Sequence, residues 1–494
     1  MLRRLLCVAL ATPIAGADML SLKDGRFLEG PPIKRTETGF RVHYQNGTVD
    51  IPGRLVADYF PTDETGAFVP RNDKEREMLA KGRVPWKGRW IAKSYRDKLV
   101  RKEIEARRRR IEQQKERRLW RNRAIVKTRR FVFQHTLPDD VFEELKDLFE
   151  TYYETFTKEW KVRPSAKFGK VTVNIYHDEE YVLQVSGAPK GVVGWYMPAD
   201  RDLHFYFDRE RKRFTIDVMF HEGNHMLTHM VNDDLWYPAW INEGMAEYYG
   251  ASEWDPETRT MRTGRLQSAR LAVLLDRLEE ENLQDLQELI KAQRIGATQY
   301  AWAWSLCHFL MTHEKYAQRF RRYFLALGRS PGIKTVPIGG GMRGVPPDEQ
   351  IKALKRYLKI KDLDELEKDW HAYVQDHLAH RSDLDWEGAG AMMMLHGERR
   401  RARRFYKKAI ELGSTSAFVY HDYARLQFDL GKVKIPLKYV ERAIELDPLR
   451  ARAWALKARC LYRQGKKEEG DRLFALAGEI DPEALSAIVD VPGQ

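Results

Sequence analysis

The chain has 494 residues, of which 43% are hydrophobic, 32% charged and 11% aromatic. That is enough for about three domains of ~150 residues with a sizeable core, and it excludes both a membrane-embedded bundle and a wholly disordered polyion. The net charge of +13 is confined to one stretch: residues 71–130 hold 24 Lys and Arg against 8 Asp and Glu, an excess of 16, so the other 434 residues sum to −3.

Met1 to Ala17 has a basic start at Arg3 and Arg4, an apolar run from Leu5 to Ile14 and the small residues Ala15-Gly16-Ala17. This is the pattern of a signal peptide, and its apolar run is too short to span a bilayer. Export is expected, with no transmembrane helix elsewhere. Of the three cysteines, Cys7 falls in this segment, and Cys307 and Cys460 alone cannot build a disulfide framework. Residues 18–62 alternate short apolar runs with turns, and Asn46-Gly47 between Phe40–Tyr44 and Thr48–Ile51 predicts a type I′ hairpin. The segments Lys23 to Arg26 and Asn46 to Pro52 resemble the small SH3-like β modules that precede secreted enzyme domains.

Residues 71–130 are expected to form a basic helical linker, a single helix of up to ~60 Å from Trp90 to Arg130 where Pro and Gly are absent. An anionic polymer or membrane face would suit its Arg107–Arg110 run. Nucleic acid is disfavoured by the export signal and the lack of a binding motif. From Phe131 the pattern changes to mixed α and β, with strands at 131–133 and 171–176, a helix at 138–160, a hairpin over 192–208 turning at Pro198–Arg201, and a helix over 212–231. Residues 265–380 are helical by periodicity, broken by the loop Ser330–Pro347. Its Gly339-Gly340-Gly341 lacks the strand before it and the Lys-Ser/Thr after it that a phosphate loop needs.

His221-Glu222-Gly223-Asn224-His225 lies within the helix predicted over 212–231. Residues i and i+4 share a helical face, so both imidazoles can reach one Zn²⁺ while Glu222 stands beside the open position where a water is activated. A second helix beginning at Trp240-Ile241-Asn242-Glu243-Gly244 offers a third ligand, since 18 residues separate Glu243 from His225 and let the chain reverse. Glu247, one turn beyond Glu243, is expected to orient His221 or His225. His229 lies another ~6 Å along the first helix and is too far to share the ion. The two motifs resemble those of the gluzincin (peptidase MA-like) zinc metallopeptidases. The resemblance spans about residues 131–380 and implies a zincin-like α+β domain, one zinc held by His221, His225 and Glu243, and Glu222 as general base. Tyr300 is similar in position to the tyrosine that holds the oxyanion in aminopeptidase N-like members. The strand Gly191–Tyr196 is expected to pair with an extended peptide substrate. No Gly-x-Met-Glu-Asn segment is present to bind a free α-amino group.

Residues 386–487 repeat at a period of 34: Gly397, Gly431 and Gly465; Trp386, Tyr420 and Trp454; Ala409, Ala443 and Ala477. This resembles three tetratricopeptide repeats and implies an α-solenoid whose groove takes a protein partner. Pro436 is expected to delay its helix. The combined expectation is an exported zinc peptidase acting on peptides or proteins. The alternative is a catalytically idle zincin-domain scaffold that captures partners through its repeats.

Overall fold

The computed structural model describes residues 18–481 except 24–25, 61–71, 87–88, 164–167, 179–181, 183–184, 187, 189–191, 209–210 and 383; the signal-peptide segment lies outside the described residues. The chain is of mixed α and β structure and forms two compact units. One combines the chain up to Glu116 with the chain from Thr415 onward, and the other is Arg117–Ser414. Among the described residues no helix is long and apolar enough to cross a membrane.

The first unit opens with six short strands, β1 (Met19–Leu22), β2 (Phe27–Glu29), β3 (Ile33–Arg35), β4 (Gly39–Tyr44), β5 (Gly47–Pro52) and β6 (Val56–Phe60). They form two three-stranded sheets, ordered β2-β1-β6 and β3-β4-β5. The predicted Asn-Gly turn is displaced by one residue. Tyr44 pairs with Gly47, the loop is Gln45-Asn46, and neither loop residue has a positive φ, so the turn is not type I′. A tertiary contact replaces the local preference. The Glu479 carboxylate accepts from the amides of Gln45 (2.7 Å) and Asn46 (3.2 Å) and from the Asn46 side-chain amide.

Helix α1 (Asp73–Ala80), a hairpin of β7 (Arg83–Trp86) and β8 (Arg89–Ala92), and helix α2 (Lys93–Arg118) follow. The basic helix is therefore shorter than expected, about 39 Å at 1.5 Å per residue. Its predicted first residues are spent on the β7–β8 hairpin. Its predicted end is a 3₁₀ turn at Trp120–Asn122 and the β-branched strand Ala-Ile-Val-Lys, β9 (Ala124–Lys127), which pairs antiparallel with β10 (Phe131–His135).

The second unit is built on a five-stranded sheet with β11 (Val171–Tyr176), β12 (Gly194–Met197) and β13 (Asp202–Tyr206), in the order β12-β13-β11-β10-β9. Strands β10, β11 and β13 run parallel, and the two edge strands run antiparallel to their neighbours. Helix α3 (Asp139–Trp160) presents Phe142, Leu145, Phe149, Tyr152, Phe156 and Trp160 on one buried stripe. Helix α4 (Lys212–Val231) packs against it through Gly223, where a Cβ would stand 2.8 Å from Phe149 Cε2, and through the Asn224 side-chain amide, which donates to the Tyr152 hydroxyl at 3.0 Å. Helix α5 (Ala239–Gly250), the hairpin β14 (Glu253–Asp255) and β15 (Thr260–Arg262), then α6 (Ser268–Glu279), α7 (Leu286–Lys291), α8 (Ala297–Thr312) and α9 (Ala317–Arg329) continue the unit. The Gly-rich loop holds a hairpin of β16 (Val336–Gly339) and β17 (Met342–Gly344), with Gly339–Gly341 all at positive φ at its tip. Helices α10 (Pro347–Leu358) and α11 (Leu363–Tyr373) follow.

Six helices close the chain in three pairs: α12 (Trp386–Leu395) and α13 (Arg399–Glu411), α14 (Ala417–Asp429) and α15 (Lys434–Leu446), α16 (Ala451–Arg463) and α17 (Lys467–Ile480). Gly397, Gly431 and Gly465 take φ of 75°, 78° and 79° at the three intrapair turns, a left-handed conformation that favours glycine. Pro436 sits in the first turn of α15, where its missing N–H costs nothing. The first pair does not group with the other two. Arg401 and Arg404 reach Asp276 of α6 and Glu280 just past its end, and this pair belongs to the second unit. The other two pairs share a core with the N-terminal strands: Leu20, Val42, Val49 and Ile51 are buried together with Leu449, Leu461, Leu473 and Leu476. Arg26 donates to both carboxylate oxygens of Asp447, at 3.2 and 2.9 Å.

Candidate metal centre

Helices α4 and α5 place three ligand-type side chains at one point. His221 and His225 stand one turn apart on α4 with ring centres 4.9 Å apart, and Glu243 enters from α5. Glu243 Oε2 is 3.2 Å from His221 Nε2 and 3.6 Å from His225 Nε2. Ligand atoms held ~2.0–2.2 Å from one tetrahedral ion lie about 3.3–3.6 Å from each other, so these separations fit a zinc-sized cation. Among the described residues they are the one group of three or more such side chains with ligand atoms all within 4.8 Å. Glu243 Oε2 is buried without a hydrogen-bond partner, as is His225 Nδ1. A carboxylate oxygen left bare between two imidazoles is costly unless a cation meets it.

The position of Glu243 depends on a glycine. Helix α5 lies so close to α8 at Gly244 that a Cβ there would be 2.5 Å from the Ala303 carbonyl oxygen and 2.6 Å from Cys307 Sγ. Behind these three side chains, Glu247 Oε1 is 3.3 Å from His221 Nδ1, so of the two histidines offered by the sequence it is His221 that Glu247 engages. The other ring nitrogen, Nε2, faces Glu243. Burial opposes ionisation of the imidazole, but Glu243 and Glu247 outweigh it and push the His221 pKa well above the ordinary histidine value. Burial likewise works against ionised Glu243, and the two histidines outweigh it and lower its pKa.

Glu222 is half-buried and faces the edge strand β12, where a Cβ on Gly194 would stand 3.1 Å from Glu222 Cγ. The backbone of β12 therefore passes directly beside this carboxylate. Tyr300, in the first turn of α8, lies with its ring centre 6.4 Å from that of His221. Burial, aided by Glu243, raises its pKa, so the phenol stays protonated and remains a hydrogen-bond donor. His229 is apart from the cluster: Nδ1 accepts from the Tyr196 hydroxyl at 2.8 Å and Nε2 donates to the Asp233 carbonyl at 2.7 Å.

Three residues near the cluster carried no sequence signal. Arg270 of α6 is 4% exposed and donates to Glu247 at 2.6 Å. Trp236 stacks near His225, with ring centres 6.4 Å apart. His396, at the end of α12, has its ring 5.1 Å from Tyr300. None lies at a fixed spacing from the motif, so only the packing of α6, the α4–α5 connection and α12 could reveal them.

A family described as "Protein of unknown function (DUF1570)" matches residues 215–331, which include the three clustered side chains, Glu222 and Tyr300. No curated protein matches the chain.

Proposed function

We propose that the protein is an exported zinc-dependent peptidase of gluzincin type. The observation that carries this reading is the convergence of His221 Nε2, His225 Nε2 and Glu243 Oε2 beside Glu222. A mixed sheet whose antiparallel edge strand borders the helix bearing the His-Glu-x-x-His motif supports a zincin-like architecture, and the 34-residue period with its three glycine turns supports tetratricopeptide repeats.

Zinc bound by these ligands supplies Lewis acidity toward a substrate carbonyl and a water that ionises near neutral pH. The side chains account for the rest. Glu222 accepts a proton from the attacking water and delivers it to the departing amine. The Tyr300 hydroxyl donates to the oxygen that becomes negative in the tetrahedral intermediate. β12, at the edge of the sheet, offers main-chain N–H and C=O groups to an extended peptide and so lays the scissile bond beside Glu222. Glu247 holds the His221 ring.

The test is metal analysis of the purified chain together with hydrolysis of a denatured-proteome peptide mixture, read as new termini. About one zinc per chain and cleavage lost in Glu222→Gln with zinc retained are expected. A chain that takes up no zinc sinks the reading. Zinc without cleavage under any condition would instead favour the idle scaffold, with partner capture by the helical pairs as its function.

A further inference from the structure

Among the described residues Arg270 is the Arg or Lys buried against the metal cluster, and the chemistry proposed above leaves it unused. Its Nη2 donates to Glu247 Oε1 at 2.6 Å, and that same oxygen lies 3.3 Å from His221 Nδ1. Its guanidinium carbon stands 4.9 Å from the centre of the Tyr300 ring. Nε and Nη1 are buried without a partner. A guanidinium hidden this deeply with two of its donors unspent is a net cost to the fold, and replacing such a pair with apolar groups often leaves stability unchanged or improved. Its two contacts give that buried charge something to hold.

We propose that Arg270 is a positioning residue of the metal centre: through Glu247 it fixes the His221 imidazole with Nε2 toward the metal, and through its cation–π contact with Tyr300 it fixes the ring that faces the same imidazole. One guanidinium thereby sets the angle of a ligand and the angle of the hydroxyl proposed to meet the substrate oxygen. The planar fork is needed for both contacts at once. The ammonium of a lysine can reach the carboxylate but cannot lie flat on the ring.

This assignment rests on the metal reading above, and a double-mutant cycle keeps the two separable. Zinc affinity is measured by chelator competition on the full-length wild type, Arg270→Gln, Glu247→Gln and the double variant, with thermal melts to verify folding. A 10- to 100-fold loss of zinc affinity is expected for Arg270→Gln. Because both residues act on one imidazole, the double variant should bind zinc no more weakly than the worse single variant. Losses that multiply in the double variant overturn the assignment, as does wild-type affinity in a folded Arg270→Gln. Should Arg270→Gln fail to fold, Arg270→Lys decides: it keeps the buried positive charge but not the fork, so a tenfold loss and a shifted visible spectrum of the cobalt-loaded protein support the assignment, and wild-type values overturn it. A wild-type chain that takes up no zinc fails at the earlier step and removes the metal reading along with this one.

Discussion

Substituting Gly244 by alanine is the sharpest test of how the third ligand is placed. A Cβ at this position would stand 2.5 Å from the Ala303 carbonyl oxygen and 2.6 Å from Cys307 Sγ, where ordinary contact begins at 3.4 Å. Cys307 has some freedom, but the carbonyl belongs to the backbone of α8 and cannot turn aside. Helix α5 must therefore retreat by about 0.9 Å, the difference between 3.4 and 2.5 Å. Metal–ligand distances tolerate about ±0.2 Å. Glu243, the adjacent residue, would leave its position by several times that margin, and a 10- to 100-fold loss of zinc affinity is the expected scale. In a thermal or chemical melt the extra stability conferred by saturating zinc should shrink by about 1.4–2.7 kcal/mol, on top of about 1–3 kcal/mol of overpacking in the metal-free protein. Gly250→Ala on the same helix is the control, because its Cβ would meet only the Asp217 carbonyl oxygen at 3.5 Å, and it should leave zinc binding unchanged. A Gly244→Ala protein with wild-type zinc affinity and wild-type stability would refute the argument that the spacing of α5 and α8 sets the Glu243 carboxylate.

Three further substitutions probe other parts of the fold. Gly194→Ala puts a methyl group 2.8 Å from a Val218 methyl, 3.0 Å from the His204 carbonyl oxygen of β13 and 3.1 Å from Glu222 Cγ, so β12 must shift at a cost of about 1–3 kcal/mol while zinc binding is kept and peptide hydrolysis drops roughly tenfold to a hundredfold; unchanged turnover would separate β12 from the reaction. Burial pushes Asp217 up to about 7 against the pull of Arg213 and with the help of Glu247 and Asp385, while in the unfolded chain it titrates near 3.8. Between these two values the unfolded chain releases a proton that the folded chain keeps, so native stability falls as pH rises, by at most about 4 kcal/mol and by less because the side chain is 22% exposed. Asp217→Asn should gain stability over wild type progressively from pH 4 to pH 7, read by denaturant titration at several pH values; a gain independent of pH contradicts this. Leu20→Ala should cost about 2–5 kcal/mol in the first unit and raise hydrogen exchange in α16 and α17 as well as in the strands, whereas a response confined to the strands would mean the shared core is not cooperative.

What was legible in the sequence depended on whether the determining forces were local. The bounds of α4 coincide with the predicted 212–231, because twenty residues without proline run between a charged turn and the Asn232 break. The glycine turns of the three helical pairs were equally readable, since left-handed φ values demand them at a fixed period. The β4–β5 turn was misplaced because Glu479, more than 430 residues away, holds it. The basic helix was overextended because its charge pattern gives no warning that Ala124–Lys127 will find a strand partner in β10. His221 and His225 could be named from their spacing and Glu243 from the resemblance of its motif, but Arg270 and His396 could not, being brought to the cluster by helices with no motif of their own. Likewise the repeat period groups all three helical pairs, while the ion pairs of Arg401 and Arg404 with α6 assign the first of them to the second unit.

The core that joins Leu20 and Val42 to Leu461 and Leu476 has a consequence for the time course of synthesis. The strands leave the ribosome long before the helices that cover their apolar faces, which are encoded about 400 residues later. At about 5–20 residues per second the early strands wait roughly 20–90 s with that surface exposed. During this interval the residues of the second unit are produced in a single uninterrupted run, and that unit can form before its predecessor in the chain. A segment made early is thus among the last to be buried, and for that period it is a natural client of a chaperone.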